Sequence, residues 1–254
     1  HNVEHDAVVI CTPPQDHADL SIKALADGKA VLCMKPGAMT LIEAELVMKT
    51  ADEGFVPYVV DYTAANAPEY GDLIPSLHGT VTSASSSRHV PSAPKPEGII
   101  LDLLSHDVAM FDDVFWDVRR ISVSCQMLDA VTAALTISDE NGDRLFYAGA
   151  SYNAIYPKKE VMLRVKPHGS ITNPLILTTW NQNQRFIKVE TQGRSIELHY
   201  RHEPDPITVS LTRFYEATGA YWSYTSTYTR IWNILHAAMH SAENDGILIG
   251  VDLA

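Results

Sequence analysis

The feature that most constrains this chain is an alternation of short apolar runs and helical segments over its first 61 residues. Three apolar runs rich in β-branched residues, typical of strands buried on both faces, occupy residues 6–12, 30–33 and 55–61. Helical patterns fill the intervals at 16–26 and 40–53, and Thr40 with Glu43 forms a capping box at the second helix start. This order predicts a parallel sheet with right-handed crossovers, as in part of a Rossmann domain.

Beyond residue 80 the pattern changes to alternating apolar and polar residues, which indicates antiparallel strands. Strands are predicted at residues 131–138, 144–151, 161–165, 174–180, 185–190, 194–200 and 206–211, and helices at 99–115 and 227–241. The predicted fold class is therefore α/β plus α+β: a partial Rossmann-type parallel sheet over residues 1–62, followed by a domain at 63–254. In this second domain a mostly antiparallel open sheet carries helices on one face.

Composition narrows the function classes. The net charge of −12, from 19 basic and 31 acidic residues, repels nucleic acid and anionic membranes, so neither is an expected partner. The three cysteines lie in separate apolar runs, and we expect reduced core thiols at Cys11, Cys33 and Cys125. No apolar stretch is long enough to span a membrane, no signal-like start is present, and no metal site is expected. These observations predict a cytoplasmic protein.

Polar residues follow the first two predicted strands at their carboxyl ends. Thr12-Pro13-Pro14-Gln15-Asp16-His17 follows the first strand, and Met34-Lys35-Pro36 follows the second. In open parallel sheets, ligands bind in the crevice outside the carboxyl ends of the strands. Both segments are therefore candidates for a cofactor-binding floor, and the alternative is that they are ordinary turns in which Thr and Pro are common.

Asp102 and His106 are spaced four residues apart on the predicted helix at 99–115, so both project from the same face. They lie beside the apolar stripe formed by Leu101, Leu104, Val108, Phe111 and Phe115. One interpretation is a helix-stabilising pair with solvent on one side. The other is a catalytic pair, which the order of the surrounding motifs favours.

The order of these pieces resembles the Gfo/Idh/MocA oxidoreductase family, which includes glucose-fructose oxidoreductase and inositol dehydrogenase. The resemblance is carried by the runs Asp6-Ala-Val-Val-Ile-Cys-Thr-Pro13, Ala24-Leu-Ala-Asp-Gly-Lys-Ala-Val31, Lys35-Pro36, Thr40 with Glu43-Ala44, and Gly98-Ile-Ile-Leu-Asp-Leu-Leu-Ser-His-Asp107. It is specific over residues 5–60 and 97–110 and only topological in the rest of the chain.

The resemblance implies an NAD(P)-dependent oxidoreductase that transfers hydride between a nicotinamide cofactor, NAD or NADP, and a sugar, inositol or related polyol. It implies the catalytic residues Lys35, Asp102 and His106, with His106 as general base. It implies cofactor contacts at Cys11, Thr12, Pro13, His17, Met34, Lys35 and Pro36. Substrate contacts are expected at Lys35, Tyr62, Asp102 and His106, and a homo-oligomer, dimer or tetramer, is expected to form through the antiparallel sheet.

Several departures leave two alternatives open. Met34 stands where the family has glutamate, Leu104 where a glycine is common, and no G-x-G-x-x-G precedes the first strand. Since that glycine loop binds the pyrophosphate, we expect the N-terminal part of the Rossmann domain to be missing from this sequence. The alternatives are a glycoside-cleaving relative that uses NAD transiently, and a catalytically inactive sugar- or nucleotide-binding regulatory protein of the same fold.

Overall fold

The computed structural model describes residues 5–67, 81–115, 117–166, 176–191, 193–199, 201, 204–220 and 225–253. Within these residues the strands form two sheets, one of three strands and one of nine. The predicted fold class, a partial Rossmann-type parallel sheet followed by a mostly antiparallel sheet with helices, is confirmed.

The first sheet has the parallel order β1-β2-β3. Its elements are β1 (Ala7–Ile10), α1 (His17–Ala26), β2 (Ala30–Met34), α2 (Leu41–Gly54) and β3 (Tyr58–Asp61). A single 3-10 turn at Pro14–Asp16 leads into α1. The central strand β2 is buried along most of its length, which explains its unbroken apolar sequence.

The residues at the two ends of α2 show how this helix is capped. The Thr40 side chain accepts a hydrogen bond from the Glu43 N–H, and the Glu43 carboxylate accepts one from the Thr40 N–H, so the predicted capping box is present. At the other end the helix includes Gly54, and Phe55 adopts the left-handed conformation with a φ of 52°. The helix therefore ends one residue later than predicted, after Gly54 rather than before it.

The strands of the second sheet are β4 (Val81–His89), β5 (Arg120–Asp129), β6 (Thr132–Asp139), β7 (Leu145–Ser151), β8 (Lys158–Val165), β9 (Ile176–Asn181), β10 (Phe186–Thr191), β11 (Arg194–His199) and β12 (Ile249–Asp252). Their order across the sheet is β11-β10-β9-β8-β4-β7-β6-β5-β12. The β4–β7 pair is parallel and the other described pairs are antiparallel. Residues 174, 175 and 200, at the ends of two predicted strands, lie outside the described residues.

Three further helices complete the fold. They are α3 (Ser105–Val114), which continues a π-helical segment at Ile100–Leu104, then α4 (Pro206–Ala220) and α5 (Thr225–Glu243). The helix predicted at 99–115 is therefore present with an irregular start. Its predicted apolar stripe is buried along its length: Leu101, Leu104, Val108, Phe111 and Phe115.

The predicted strand at 206–211 is wrong, because this segment is the first part of α4. The β-branched residues Ile207, Thr208 and Val209 favour a strand, but the residues before them form a helix start. Asp205 accepts hydrogen bonds from the N–H groups of Ile207 and Thr208 and from the Thr208 hydroxyl. Pro206, the next residue, has the backbone φ that a first helical position requires.

The three cysteines are free, but only Cys33 and Cys125 are core thiols, and the expectation for Cys11 is wrong because its side chain is exposed just after β1. Burial raises the pKa of Cys33 to about 12 and that of Cys125 to about 11, so both stay protonated. In the part of the chain that the structure describes, no helix combines the length and apolar character that crossing a bilayer requires.

Helix α5 joins the two sheets. On one side it packs against α2 and β3, where Tyr228 meets Tyr58 edge to face with ring centroids 5.3 Å apart. On the other side it packs against β5, where the Ser241 hydroxyl accepts a hydrogen bond from the Cys125 N–H at 2.9 Å. Arg230 donates to Asp112 on α3 at 2.6 Å and to the Leu253 carbonyl after β12 at 2.6 Å. One continuous hydrophobic core therefore fixes how the sheets meet.

The junction leaves no space at Gly37, directly after the Lys35-Pro36 segment. A Cβ there would lie 2.5 Å from the Tyr58 hydroxyl, 2.6 Å from the Tyr228 hydroxyl and 2.9 Å from Val60 Cγ2. Tyr58 and Tyr228 are buried and cannot swing aside into solvent. Glycine is therefore required at this position by close packing rather than by backbone conformation.

We predict that Gly37→Ala lowers the free energy of unfolding by about 1–3 kcal/mol, the usual cost of overpacking a core. Thermal unfolding followed by circular dichroism measures this as a fall in Tm of about 2–4 °C per kcal/mol. Gly250→Ala is the matched control, because a Cβ at Gly250 meets nothing within 4 Å. Equal Tm values for the two variants would contradict the tight junction.

Candidate active site

A cavity of about 380 Å³ opens where the carboxyl ends of β2 and β3 face the second sheet. We call it the Lys35 cavity. Lys35 follows β2, His106 lies on α3, Arg88 comes from β4 and Lys159 from β8. The full lining consists of Met34, Lys35, Asp61, Thr63, Ala64, Ala67, Arg88, His106, Lys159, Trp180, Gln182 and Pro206.

Lys35 and Asp102 are joined directly, although they lie 67 positions apart in the chain. Lys35 Nζ donates to Asp102 Oδ1 at 2.5 Å and to the Asp102 backbone carbonyl at 2.6 Å. The Tyr152 hydroxyl, from the end of β7, donates to the other carboxylate oxygen of Asp102 at 2.9 Å. Burial and this carboxylate raise the pKa of Tyr152 above its ordinary value, so the hydroxyl keeps the proton that it donates. Asp102 is thus held from both sides.

The π-helical segment Ile100–Leu104 places Asp102 within an irregular turn. The Ser105 N–H donates to the carbonyl of Ile100, five residues earlier, which is the hydrogen-bond spacing of a π-helix. Within this wider turn the carbonyl of Asp102 accepts a hydrogen bond from Lys35. Such turns are frequent at functional sites, and the simple four-residue spacing between Asp102 and His106 did not reveal this one.

His106 is half-buried and lines the Lys35 cavity. Burial lowers its pKa well below the ordinary value, and the positive charges of Arg88, Lys35 and Lys159 lower it further. The imidazole is therefore neutral at neutral pH. Its Nδ1 atom is buried and forms no hydrogen bond with any described residue. A neutral imidazole can accept a proton, which is what a general base requires.

Next to His106, Asp107 and Arg88 form a buried ion pair. Arg88 Nη2 donates to Asp107 Oδ1 at 2.9 Å, and the Ser86 hydroxyl donates to the same oxygen at 2.6 Å. Both charged side chains are almost fully buried, so the pair compensates itself. The pair ties β4 to α3 and holds a positive guanidinium close to the imidazole of His106.

The other predicted cofactor residues lie at the carboxyl ends of β1 and β2. Cys11, Thr12 and Pro13 are exposed, so a ligand can reach them. His17 is buried, and its Nε2–H donates to the Thr12 carbonyl at 2.8 Å, which anchors the loop rather than presenting the ring to a ligand. Met34 lines the Lys35 cavity, and Pro36, joined to Lys35 by a cis peptide bond, is buried.

Tyr62 is placed apart from the other predicted substrate residues. It lines a separate cavity of about 160 Å³, which also contains Asn66, Asp113, Arg213 and Tyr228. Asp61, Thr63 and Ala64 next to it in the chain line the Lys35 cavity instead. The structure therefore brings Lys35, Asp102 and His106 together and leaves Tyr62 on the other side of the chain.

Sequence reasoning missed Arg88, Tyr152, Lys159 and Gln182. For two of them the alternation of side chains along a strand gives a signal. On β4, Arg88 follows Ala84 and Ser86 on the inward-facing side. On β8, Lys159 stands on the same side as the inward-facing Val161 and Leu163. A charged residue in the inward register of a strand is unusual and indicates a site. Tyr152 and Gln182 follow the ends of strands and carry no such signal.

Comparison with known proteins shows that this chain is similar to oxidoreductases. Residues 1–62 match the model of GFO_IDH_MocA, described as an oxidoreductase family with an NAD-binding Rossmann fold. The inositol 2-dehydrogenase of Rhizobium meliloti (strain 1021) is 29% identical over 156 residues, 58% of this chain and 45% of that protein. The matched part of the chain thus spans less than half the length of that curated relative.

Solved structures share the fold over nearly the whole chain. The UDP-N-acetylglucosamine 3-dehydrogenase of Acidithiobacillus ferrooxidans is 17% identical, with a TM-score of 0.81 over 94% of this chain and 79% of that one. An inositol dehydrogenase homolog from Azotobacter vinelandii, complexed with NAD+, is 16% identical, with a TM-score of 0.79 over 97% of this chain and 78% of that one.

We predict that Lys159→Met raises the pKa of His106. Removing one positive charge reduces the repulsion that disfavours the imidazolium, so the protonated form becomes more accessible. The pKa stays below the ordinary histidine value, because burial and Arg88 remain. NMR titration of isotope-labelled histidine measures the change. The matched control is Lys158→Met, since Lys158 pairs with Glu160 at 3.2 Å on the other face of β8. An unchanged His106 titration in Lys159→Met would show that the two side chains do not interact.

Proposed function

We propose that this chain is an NAD(P)-dependent dehydrogenase or reductase of the Gfo/Idh/MocA type that acts on a sugar, inositol or related polyol, because residues 1–62 match that family's model and the fold resembles solved dehydrogenases. In this proposal residues 1–62 hold the nicotinamide end of the cofactor and residues 63–254 bind the substrate. The observation that carries it is that Lys35 and His106 line one cavity while Asp102 is paired with Lys35.

The three residues have complementary roles in the oxidation of an alcohol. The neutral His106 accepts the hydroxyl proton of the substrate. The ammonium of Lys35 stabilises the negative charge that develops on the substrate oxygen. Asp102, fixed by Lys35 and Tyr152, orients that ammonium and offers a carboxylate to a neighbouring substrate hydroxyl. In the reverse direction, protonated His106 returns the proton.

The residues at the carboxyl ends of β1 and β2 fit the nicotinamide half of the cofactor. Thr12 and Pro13 are exposed at one strand end, and Met34 and Lys35 reach the cavity at the next. When bound, the nicotinamide supplies the hydride acceptor or donor. The role of this chain is to hold the substrate oxygen between Lys35 and His106, and to limit the access of water through the partial burial of both side chains.

We predict that His106→Gln in the full-length protein lowers kcat by about 10²- to 10⁴-fold, because general base catalysis contributes about that factor. Formation of NADH or NADPH with a panel of sugars and inositols measures the rate, and quenching of tryptophan fluorescence by the cofactor shows that binding is retained. The control is His236→Gln, since His236 is exposed on α5. Unchanged turnover in His106→Gln would refute the assigned base.

The same assay separates the alternative functions. A glycoside-cleaving relative would release sugar from a glycoside without net NADH accumulation, and product analysis detects this. An inactive regulatory protein would bind a sugar or cofactor and turn over none of the panel. The neutral imidazole beside a lysine ammonium favours catalysis, because a binding protein has no need for a buried proton acceptor.

We further propose that the second sheet forms a homo-oligomer, a dimer or tetramer, through its outward face. Leu145 and Tyr147 on this face of β7 are 46% and 45% exposed, and pairing with a second copy would remove them from water. We predict that Tyr147→Glu lowers the molar mass measured by light scattering. The control is Ile42→Glu, on the exposed side of α2. Retention of the oligomer in Tyr147→Glu, or a monomeric unmodified chain, would contradict this interface.

A further inference from the structure

The charges that line the Lys35 cavity are unequally compensated. Lys35 is paired with Asp102, and Arg88 is paired with Asp107. Lys159, half-buried on β8, forms no ion pair with a described acidic residue, and only burial and the positive charges of Arg88 and Lys35 act on it. These three influences lower its pKa from the ordinary lysine value. Lys159 is therefore a cation of the cavity that has no ion-pair partner among the described residues.

Asp61, the acidic residue that also lines the cavity, is already engaged. Its Oδ1 accepts hydrogen bonds from the Ser210 hydroxyl at 2.6 Å and the Asn66 amide at 2.9 Å. Its Oδ2 accepts one from the Thr63 hydroxyl at 3.0 Å. These bonds tie the end of β3 to α4. These neutral donors hold Asp61 in the scaffold but leave its negative charge at the cavity, and Asp61 forms no ion pair with Lys159.

The contrast with neighbouring lysines makes the unpaired charge of Lys159 notable. Lys158 pairs with Glu160 at 3.2 Å, and Lys188 on β10 pairs with Glu190 at 2.8 Å. The whole chain carries 31 acidic against 19 basic residues, so carboxylates are in excess. A half-buried ammonium without a partner is unfavourable in such a protein, and a bound anion would remove the cost.

A second unsatisfied donor lies beside Lys159. The Gln182 N–H donates to the Lys159 backbone carbonyl at 2.9 Å, so the two residues face each other where β8 meets the end of β9. Both line the same cavity. The Gln182 side-chain Nε2 is buried and has no hydrogen-bond partner among the described residues. Buried amide groups are normally satisfied, so an unpaired one in a cavity indicates a position for a ligand acceptor.

We infer that the substrate of this site carries a carboxylate, held by Lys159 Nζ and Gln182 Nε2, while its reacting hydroxyl lies at Lys35 and His106. This inference rests on the proposed function and names its substrate class as a sugar acid, a uronate or an aldonate. An ammonium and an adjacent amide N–H match the two oxygens of a carboxylate. A phosphate has three terminal oxygens and a larger charge, which two donors satisfy less completely.

The test uses the full-length protein and two matched substrate pairs, glucose with glucuronate and galactose with galacturonate, with glucose 6-phosphate as the phosphate probe. We predict a higher kcat/KM for the acid of each pair. In Lys159→Met the acid-to-neutral ratio falls by about 10- to 100-fold, the range for losing a hydrogen bond to a charged group. Lys158→Met keeps the ratio. Gln182→Glu replaces the amide nitrogen by an oxygen and so places a carboxylate beside Lys159. It should also abolish the preference, and it tests the inference if Lys159→Met does not fold.

Calorimetry with glucuronate, glucose and glucose 6-phosphate separates this inference from the proposed function, since it needs no turnover. Glucuronate binding that weakens in Lys159→Met but not in Lys158→Met supports the carboxylate site even in a protein without dehydrogenase activity. Turnover of neutral sugars with equal or weaker use of the acids overturns the inference and leaves the dehydrogenase intact. If glucose 6-phosphate binds more tightly than glucuronate and this binding depends on Lys159, the site recognises a phosphate and the carboxylate inference is overturned.

Discussion

The ion pair between Lys35 and Asp102 is the interaction on which the site depends. It joins the end of a parallel strand to a helix that packs on the second sheet, so neither half of the protein contains the site alone. Its side chains are 19% and 14% exposed, between the surface pairs worth about 0–1 kcal/mol and the buried pairs whose disruption costs about 3–5 kcal/mol. The pair matters more for positioning the two side chains than for stability. Close packing at Gly37 fixes the end of β2, and the π turn presents the backbone carbonyl and the carboxylate of Asp102 to Lys35.

Around this pair, local charge opposes the charge of the whole molecule. The chain has a net charge of −12, yet three cations line one cavity and add to the burial that keeps His106 neutral. Coulomb interactions over a few ångströms in a poorly solvated site outweigh a distant, screened surface field. A histidine whose pKa is lowered in this way is a proton acceptor over the whole neutral range. The same cations would stabilise an alkoxide on the substrate, so one electrostatic arrangement serves both the base and the oxyanion.

Much of the fold could be predicted from the sequence, but only part of the candidate site could. Strand β2 is buried on both faces and leaves an unbroken apolar run, and the capping box of α2 is a purely local device, so both were predicted correctly. The start of α4 was not, because Asp205 and Pro206 override the strand preference of the next three residues. Arg88 and Lys159 were not predicted as site residues, because a charged residue in an alternating strand is taken to face solvent until the register of the strand is known. The separation of Tyr62 from Asp61 has the same origin, since adjacent residues at a strand end face opposite ways.

The proposed catalytic residues and the proposed carboxylate-binding residues of the cavity come from different structural elements. Lys35, Asp102 and His106 come from the parallel sheet and from α3 with its π turn, which the core holds rigidly. Lys159 and Gln182 come from β8 and the end of β9 in the nine-stranded sheet, and both are only partly buried. Groups that perform chemistry must be held within fractions of an ångström, whereas groups that select a substituent tolerate change. A fold built in this way can exchange the residues that would select a carboxylate, a phosphate or a neutral hydroxyl without moving Lys35, Asp102 and His106, the proposed catalytic residues.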